Sequence, residues 1–304
     1  MCYKLSIFFV LFLRIIFCNA QPVYFGGGNI CGTQSWKLVF EDNFDGNELN
    51  KDNWVTYFPY TATGNDQCDY CRNSGPGGQV YLDTNVEVSD GLLKLITRKE
   101  KVTWYGQTQD YSSGMVFSRP AFKYGKWEIS YKIPFGMSFW PAFWLFGNPG
   151  TEIDIFEFGT QKPYRVHCGI RKWREQKVAA GKGNPYDGVD YSKAFHKFAV
   201  EWEPFFITYK IDDEAVVKFC RFYDINTASI DYCCVEPGVY YQEAAYPEGE
   251  PNKLNVILNL LIGVDDGPYT DAPNVATKIP NQFEIDYVRI FQRDSTLVKM
   301  RAVN

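Results

Sequence analysis

Apolar and polar residues alternate through a dozen short runs, each closed by Gly, Pro, Asn or Asp. They are WKLVFED (36–42), QVYLD (79–83), VEVSDGLLKLITR (86–98), DYSSGMVFS (110–118), GKWEISYKI (125–133), FWPAFWLFG (139–147), TEIDIFEFG (151–159), RVHCGIR (165–171), FHKFAVEWEP (195–204), FFITYKIDDEAVVKF (205–219), LNVILNLLI (254–262) and FEIDYVRIFQ (283–292). Period two marks a half-buried strand. Asp90-Gly91 and Asp212-Asp213 read as hairpin turns. Helical periodicity is confined to one turn near 173–180. So many short strands predict an all-β sandwich or barrel. The stretches 57–78, 173–194 and 221–252 read as irregular loops around its rim.

One strand breaks the alternation. Residues 151–158 read TEIDIFEF, with Glu152 and Asp154 two apart and Glu157 three further on. In a plain strand Glu157 would face away from the other two. A single extra residue, a β-bulge, returns it to their face. Ile153 and Ile155 then point into the core, Phe156 occupies the bulge, and Phe158 resumes the buried set. The alternative is a solvent-facing polar stripe. A surface strand, however, gains nothing from a bulge or from three adjacent like charges. Clustered carboxylates drive their pKa values apart, which acid/base chemistry requires. A retaining glycosidase needs two carboxyl groups about 5–5.5 Å apart, and an inverting one about 6.5–9.5 Å. Two long Glu side chains leaning together over Asp154 can meet the first condition.

Upstream, Trp140, Ala142 and Trp144 alternate onto one face. Each Trp alone reads as core; two beside an acid strand suit a platform for sugar rings. Aromatics are 17% of the chain, with eight Trp. The chain has two His, His167 and His196. Either one alone reads as structural, but His167 lies where a hairpin partner of the acid strand would run. It could hydrogen-bond an acid or a sugar.

Net charge is −5 with no basic stripe, which argues against a nucleic-acid partner and against a strongly anionic polymer. Lys4 precedes an apolar run that ends in Cys18-Asn19-Ala20, the pattern of a signal peptide (1–20) cut after Ala20. Arg14 leaves the run too short to span a membrane comfortably. Residues 21–34 read as a Gly-rich lead-in, 35–295 as the sandwich domain and 296–304 as a tail. The expectation is a secreted, extracellular protein with no membrane attachment after cleavage, and a monomer. Seven Cys follow Ala20, an odd number, so at least one is free or intermolecular. Cys68 and Cys71 form an isolated CxxC, better suited to a loop-stapling disulfide than to zinc.

ExDxxE behind WPAFW resembles glycoside hydrolase family 16, in its laminarinase-like branch. The resemblance continues through LVFEDNFDG (38–46), SSGMVFS (112–118), YGKWEISYKIP (124–134), WPAFWLFG (140–147), EIDIFE (152–157), FHKFAVEW (195–202), VILNLLIGV (256–264) and FEIDYVRIF (283–291). It implies a β-jelly-roll sandwich of two antiparallel sheets with a concave cleft, and a retaining endo-β-1,3-glucanase acting on laminarin-type β-glucan. Glu152 matches the nucleophile, Glu157 the general acid/base, and Asp154 the acid that tunes the nucleophile. Trp140, Trp144 and His167 match substrate-binding positions. No cofactor is implied for the chemistry. A structural calcium on the convex face would use Asp286 and backbone oxygens. Lys126 stands where the family often has Arg. The alternatives are a non-catalytic β-glucan-binding recognition protein, and a hydrolase or transglycosylase acting on mixed-linkage glucan or galactan.

Overall fold

The structure is a computed structural model of the 304-residue chain. It describes residues 35–59, 71–72, 77–104, 106–147, 151–172, 177–179, 186–203, 206–220, 222–224, 229–231, 240–243 and 253–293. The expected signal peptide, Gly-rich lead-in, C-terminal tail and Cys68 lie outside these residues.

Two large sheets carry most of the described chain, beside a two-stranded ribbon of Phe222–Asp224 and Ser229–Asp231. The first runs from edge to edge as Lys177–Ala179, Arg165–Lys172, Thr151–Glu157, Phe139–Gly147, Leu254–Ile262, Met115–Phe122 and Trp54–Val55. The second runs as Tyr240–Glu243, Glu214–Cys220, Phe206–Ile211, His196–Trp202, Gly125–Lys132, Asn281–Gln292, Leu92–Trp104, Gln107–Ser113 and Gln79–Tyr81. Lys37–Asp42 adds to Asn281–Gln292, so the first and last long strands pair. Nearly all pairs are antiparallel; the parallel ones are Glu214–Cys220 with Tyr240–Glu243 and Gln79–Tyr81 with Gln107–Ser113. Among the described residues the helical element is a 3-10 turn at Asp83–Asn85.

The alternation sorts side chains as the pattern demands. Trp127, Ile129 and Tyr131 are fully buried in the core, whereas Lys126 and Glu128, alternating with them, lie on the other face of the sheet and pair with each other at 2.7 Å. Lys126 is thus on the outer side of the second sheet, away from the acid strand. Both expected hairpins form. Asp90 (φ 56°) with Gly91 (φ 72°), and Asp212 (φ 49°) with Asp213 (φ 72°), take the left-handed conformation that two-residue hairpin turns need. Asp212 also holds His196 Nδ1 at 2.8 Å, so His196 is structural.

Between the sheets lies an aromatic core. Phe156 of the first sheet stacks on Tyr131 of the second, centroids 4.5 Å apart, and meets Phe143, Phe158, Phe198 and Phe283 within 6.1 Å. The bulged segment of the acid strand is therefore clamped from below by the most densely aromatic part of the core.

Two of the stretches expected to be irregular, 173–194 and 221–252, contain strands. Lys177–Ala179 and Tyr186–Asp187 both pair with Arg165–Lys172. Phe222–Asp224 pairs with Ser229–Asp231, and Tyr240–Glu243 extends the second sheet. The helical turn expected near 173–180 is replaced, over 177–179, by a strand. Open sheet edges supply hydrogen-bond partners to segments whose own pattern is weak.

Cys71 is disulfide-bonded, in line with a stapled loop. Cys168 is a free thiol, buried under the acid strand, and burial raises its pKa to about 12.

Candidate active site

The strand Thr151–Glu157 is flanked by Phe139–Gly147 and Arg165–Lys172, and the register on both sides places its bulge. Toward the first neighbour Asp154 faces Trp144, yet Phe156 already faces Phe143 and Glu157 faces Ala142. Toward the second, Asp154 faces Gly169 and Glu157 faces His167. One extra residue is thus accommodated at Ile155–Phe156, where both side chains enter the core fully buried. The expected bulge is there, shared by Ile155 and Phe156. Glu152, Asp154 and Glu157 lie together on the opposite face, each under 9% exposed.

These acids are not equivalent. Glu157 accepts hydrogen bonds from the Trp140 indole N–H (3.1 Å) and the Tyr269 hydroxyl (2.9 Å). Burial, then the charge of Asp154, pushes its pKa up to about 8, against smaller lowering by Arg171 and the two hydrogen bonds. Clustering of carboxylates, the cause expected from the sequence for divergent pKa values, is here the second cause; desolvation is the larger one. Burial also raises Asp154, opposed by the charge of Arg171 and by hydrogen bonds with Glu152 and Arg171. Arg171 Nε lies 3.2 Å from Asp154 Oδ2 and 3.4 Å from Glu152 Oε1. Glu157 thus holds its proton into the neutral range, while Glu152 and Asp154 share a guanidinium. A carboxylic acid beside arginine-paired acids suits the division of labour that glycosyl transfer requires.

The two tryptophans divide in role. Trp140 is 9% exposed, its ring edge-on to Tyr269 at 4.7 Å, and its N–H is committed to Glu157. It anchors the acid more than it offers an open stacking face. Trp144 is partly exposed, and its indole N–H donates to Asn259 Oδ1 at 2.6 Å. Asn259 in turn donates to the Tyr81 hydroxyl at 3.2 Å. Phe58 packs on Trp144 at 6.1 Å, fixing the ring at the cleft floor.

His167 stands opposite Glu157 in register, with its ring 4.7 Å from that of Tyr269. Burial, then the charge of Arg165, lowers its pKa, so it is neutral at pH 7. A cavity of about 150 Å³ opens beside it, lined by Gly159, Gln161, Lys162, Arg165, His167, Pro268 and Tyr269. Asp286 is on the other sheet, exposed at a bulge of Asn281–Gln292. Among the described residues no group of three or more His, Cys, Asp or Glu could hold a metal. A calcium ion there would rely on backbone oxygens for the rest of its six to eight ligands.

Sequence reasoning missed Arg171, Tyr269 and Asn259. The first was within reach: alternation along Arg165–Lys172 puts His167, Gly169 and Arg171 on one face. Tyr269 comes from the aperiodic segment 263–280. That segment is tied down by Gly263 N–H to Ser138 O (2.9 Å), Ser138 N–H to Thr270 Oγ1 (3.2 Å) and Gln161 Nε2 to Tyr269 O.

The family model described as Glycosyl hydrolases family 16 matches residues 79–232, which include all three acids, both tryptophans, His167 and Arg171. A glucan endo-1,3-beta-glucosidase of Cryptopygus antarcticus is 28% identical over 84% of this chain and 92% of its own length. Glucan endo-1,3-beta-glucosidase A1 of Niallia circulans is 26% identical over 84% of this chain, which spans 38% of that longer protein. Among solved structures, the laminarinase catalytic domain from Thermotoga maritima MSB8 superposes with a TM-score of 0.67 at 25% identity, covering 86% of this chain and all of that one. The endo-beta-1,3-glucanase from Pyrococcus furiosus superposes at 0.68 and 25% identity, covering 86% and 96%.

Proposed function

This chain belongs to glycosyl hydrolases family 16, and from that premise we propose that it is a secreted endo-acting hydrolase of β-1,3-glucan that retains anomeric configuration. The observation that carries the reading is the bulged acid strand, with a proton-bearing Glu157 beside an arginine-paired Glu152 on one face. Relatives named as endo-1,3-beta-glucosidases and laminarinases support the linkage. The apolar run from Lys4 to Ala20 supports export.

In the first step Glu152 attacks the anomeric carbon as a carboxylate. Glu157 gives its proton to the departing glycosidic oxygen, and a glycosyl ester forms on Glu152. Glu157, now a carboxylate, takes a proton from water, which attacks the same carbon and releases the sugar with its configuration restored. Asp154 serves both acids. It is held beside Glu152 by the shared Arg171 guanidinium, and its charge helps keep the proton on Glu157. Trp144 gives a ring face for a glucose unit, and neutral His167 can hydrogen-bond a hydroxyl.

The direct test is incubation of the secreted protein with laminarin, mixed-linkage glucan and agar-type galactan. Release of reducing ends from laminarin with a rapid fall in chain length is expected. Release from galactan alone, or from none, would overturn the assignment. The pH profile checks the mechanism. Because Glu157 must be protonated in the free enzyme, kcat/KM is expected to fall as pH rises through about 8. Asp154→Asn removes a charge that raises Glu157, so its alkaline limb is expected at lower pH than in the wild type. A limb left in place would separate Asp154 from the acid/base.

A further inference from the structure

Three carboxylates on one strand face pose a charge problem. Two of them at i and i+2 repel, and in a buried site one of such a pair takes up a proton. If that proton sat on Glu152, there would be no nucleophile; if the proton left Glu157, there would be no acid. Something must decide which carboxyl is protonated. We propose that Arg171 is a positioning residue that clasps Glu152 and Asp154, offsets one of their two charges and thereby keeps Glu152 ionised as the nucleophile, so that the proton of the site stays on Glu157. This rests on the roles proposed above for Glu152 and Glu157.

The geometry is specific. In the ladder between the two strands Arg171 is the residue directly across from Glu152. From there its Nε reaches Asp154 Oδ2 at 3.2 Å and Glu152 Oε1 at 3.4 Å. The side chain is 32% exposed, so its charge is only partly screened. A planar guanidinium can serve two carboxylates at once, which a point-charge ammonium does less well. Among the described residues, the groups whose charges act on Arg171 are Glu152, Asp154 and Glu157 from the acid strand, and Tyr269 from the segment 263–280. His167 and Arg165 precede it along its own strand. On its other side it pairs in register with Val178. Burial pulls the guanidinium toward losing its proton, but the charges of Asp154, Glu157 and Glu152 outweigh this and keep it cationic. In return its charge lowers both Asp154 and Glu157.

Removing Arg171 and removing Asp154 therefore have opposite signatures on the same group. Arg171→Gln is expected to raise the Glu157 titration by about one pH unit, and Asp154→Asn to lower it. Arg171→Lys keeps the charge and is expected to leave the midpoint near that of the wild type. The double variant Arg171→Gln/Asp154→Asn removes one charge of each sign and is expected to fall between the two single variants. It also maintains charge balance should Arg171→Gln fold poorly.

The experiment is a carboxyl-carbon NMR titration of protein labelled with 13C at glutamate side chains. Glu157 and Glu152 are identified by the signals lost in Glu157→Gln and in Glu152→Gln, and the kcat/KM profile on laminarin is recorded alongside. A Glu152 signal that stays ionised near neutral pH in the wild type but takes up a proton in Arg171→Gln, with ionisation restored in Arg171→Lys and kcat falling more than KM changes, supports the clasp. A Glu152 signal that is unmoved in Arg171→Gln overturns it. So does a double variant whose Glu157 midpoint coincides with that of Asp154→Asn. A variant whose only defect is a raised KM, with unmoved titrations, makes Arg171 a sugar contact and also overturns the proposal. The titration needs no substrate. Inactivity of the wild type on laminarin would count against the proposed function, and the NMR result would still decide the role of Arg171.

Discussion

Glu152→Gln is expected to lower kcat/KM on laminarin by about 10⁴-fold or more while the protein stays folded. The amide is close in shape to the carboxylate and can still accept a hydrogen bond from Arg171, so the ladder and core beneath have no reason to change. What is lost is the electron pair that forms the glycosyl ester. The defect should therefore be the same for substrates with poor and with good leaving groups, since no leaving group substitutes for a missing nucleophile. Circular dichroism and melting temperature establish folding, and kinetics on laminarin and an aryl β-glucoside establish the loss. Residual activity within tenfold of wild type would move the nucleophile to another residue.

Glu157→Gln should separate activity from stability. Loss of the general acid is expected to cost about 10²- to 10⁴-fold on laminarin. Formation of the glycosyl ester from an aryl glycoside with an acidic phenol should be largely spared, because that leaving group needs no proton. Stability is expected to move the other way. The folded-state pKa of Glu157 is about 8, above the ordinary 4.5. Between these values the unfolded chain releases a proton that the folded chain keeps, so wild-type stability falls as pH rises from 4.5 toward 8. Gln mimics the protonated acid. It keeps a carbonyl for the Trp140 N–H and presents an amide N–H to the Tyr269 oxygen, but it has no proton to lose. At pH 7 the variant should be more stable by about 3 kcal/mol, a rise in melting temperature of roughly 5–10 °C. The gain should vanish at and below pH about 4.5. Equal melting temperatures at pH 7 would mean that Glu157 is already ionised in the folded enzyme. A buried acid of this kind is one way that a site trades stability for function.

The acid site was legible because its signal is a violation of period two. Ile153, Ile155, Phe156 and Phe158 are all fully buried, and only a bulge reconciles that with three carboxylates on the other face. The same device recurs at Asp286, where Ile285 and Val288 are both buried and the ladder shifts between Ile285 and Tyr287. There the flanking residues alternate well enough to conceal it. What could not be read was cross-strand register. Arg171 matters because it lies opposite Glu152, and that depends on the turn between two strands rather than on either strand alone. Tyr269 approaches Glu157 from a segment with no periodicity, placed by hydrogen bonds to Ser138 and Gln161 that are distant in sequence. Trp140 and Trp144 look alike in the alternation. One is turned under Tyr269 to bind the acid, and the other is held by Asn259 at the cleft floor. The short edge strands at 177–179 and 240–243 owe their form to partners rather than to their own pattern.

The measurement that bears most directly on the account is the anomeric configuration of the first reducing ends released from laminarin. It can be followed by proton NMR within the first minutes, before mutarotation. Nucleophilic attack by Glu152 on one face, followed by water on the opposite face that the leaving group vacated, assisted by Glu157, predicts that the β-anomer appears first and the α-anomer grows in afterwards. First appearance of the α-anomer would mean a single displacement by water, and would contradict both the covalent role of Glu152 and the second role of Glu157.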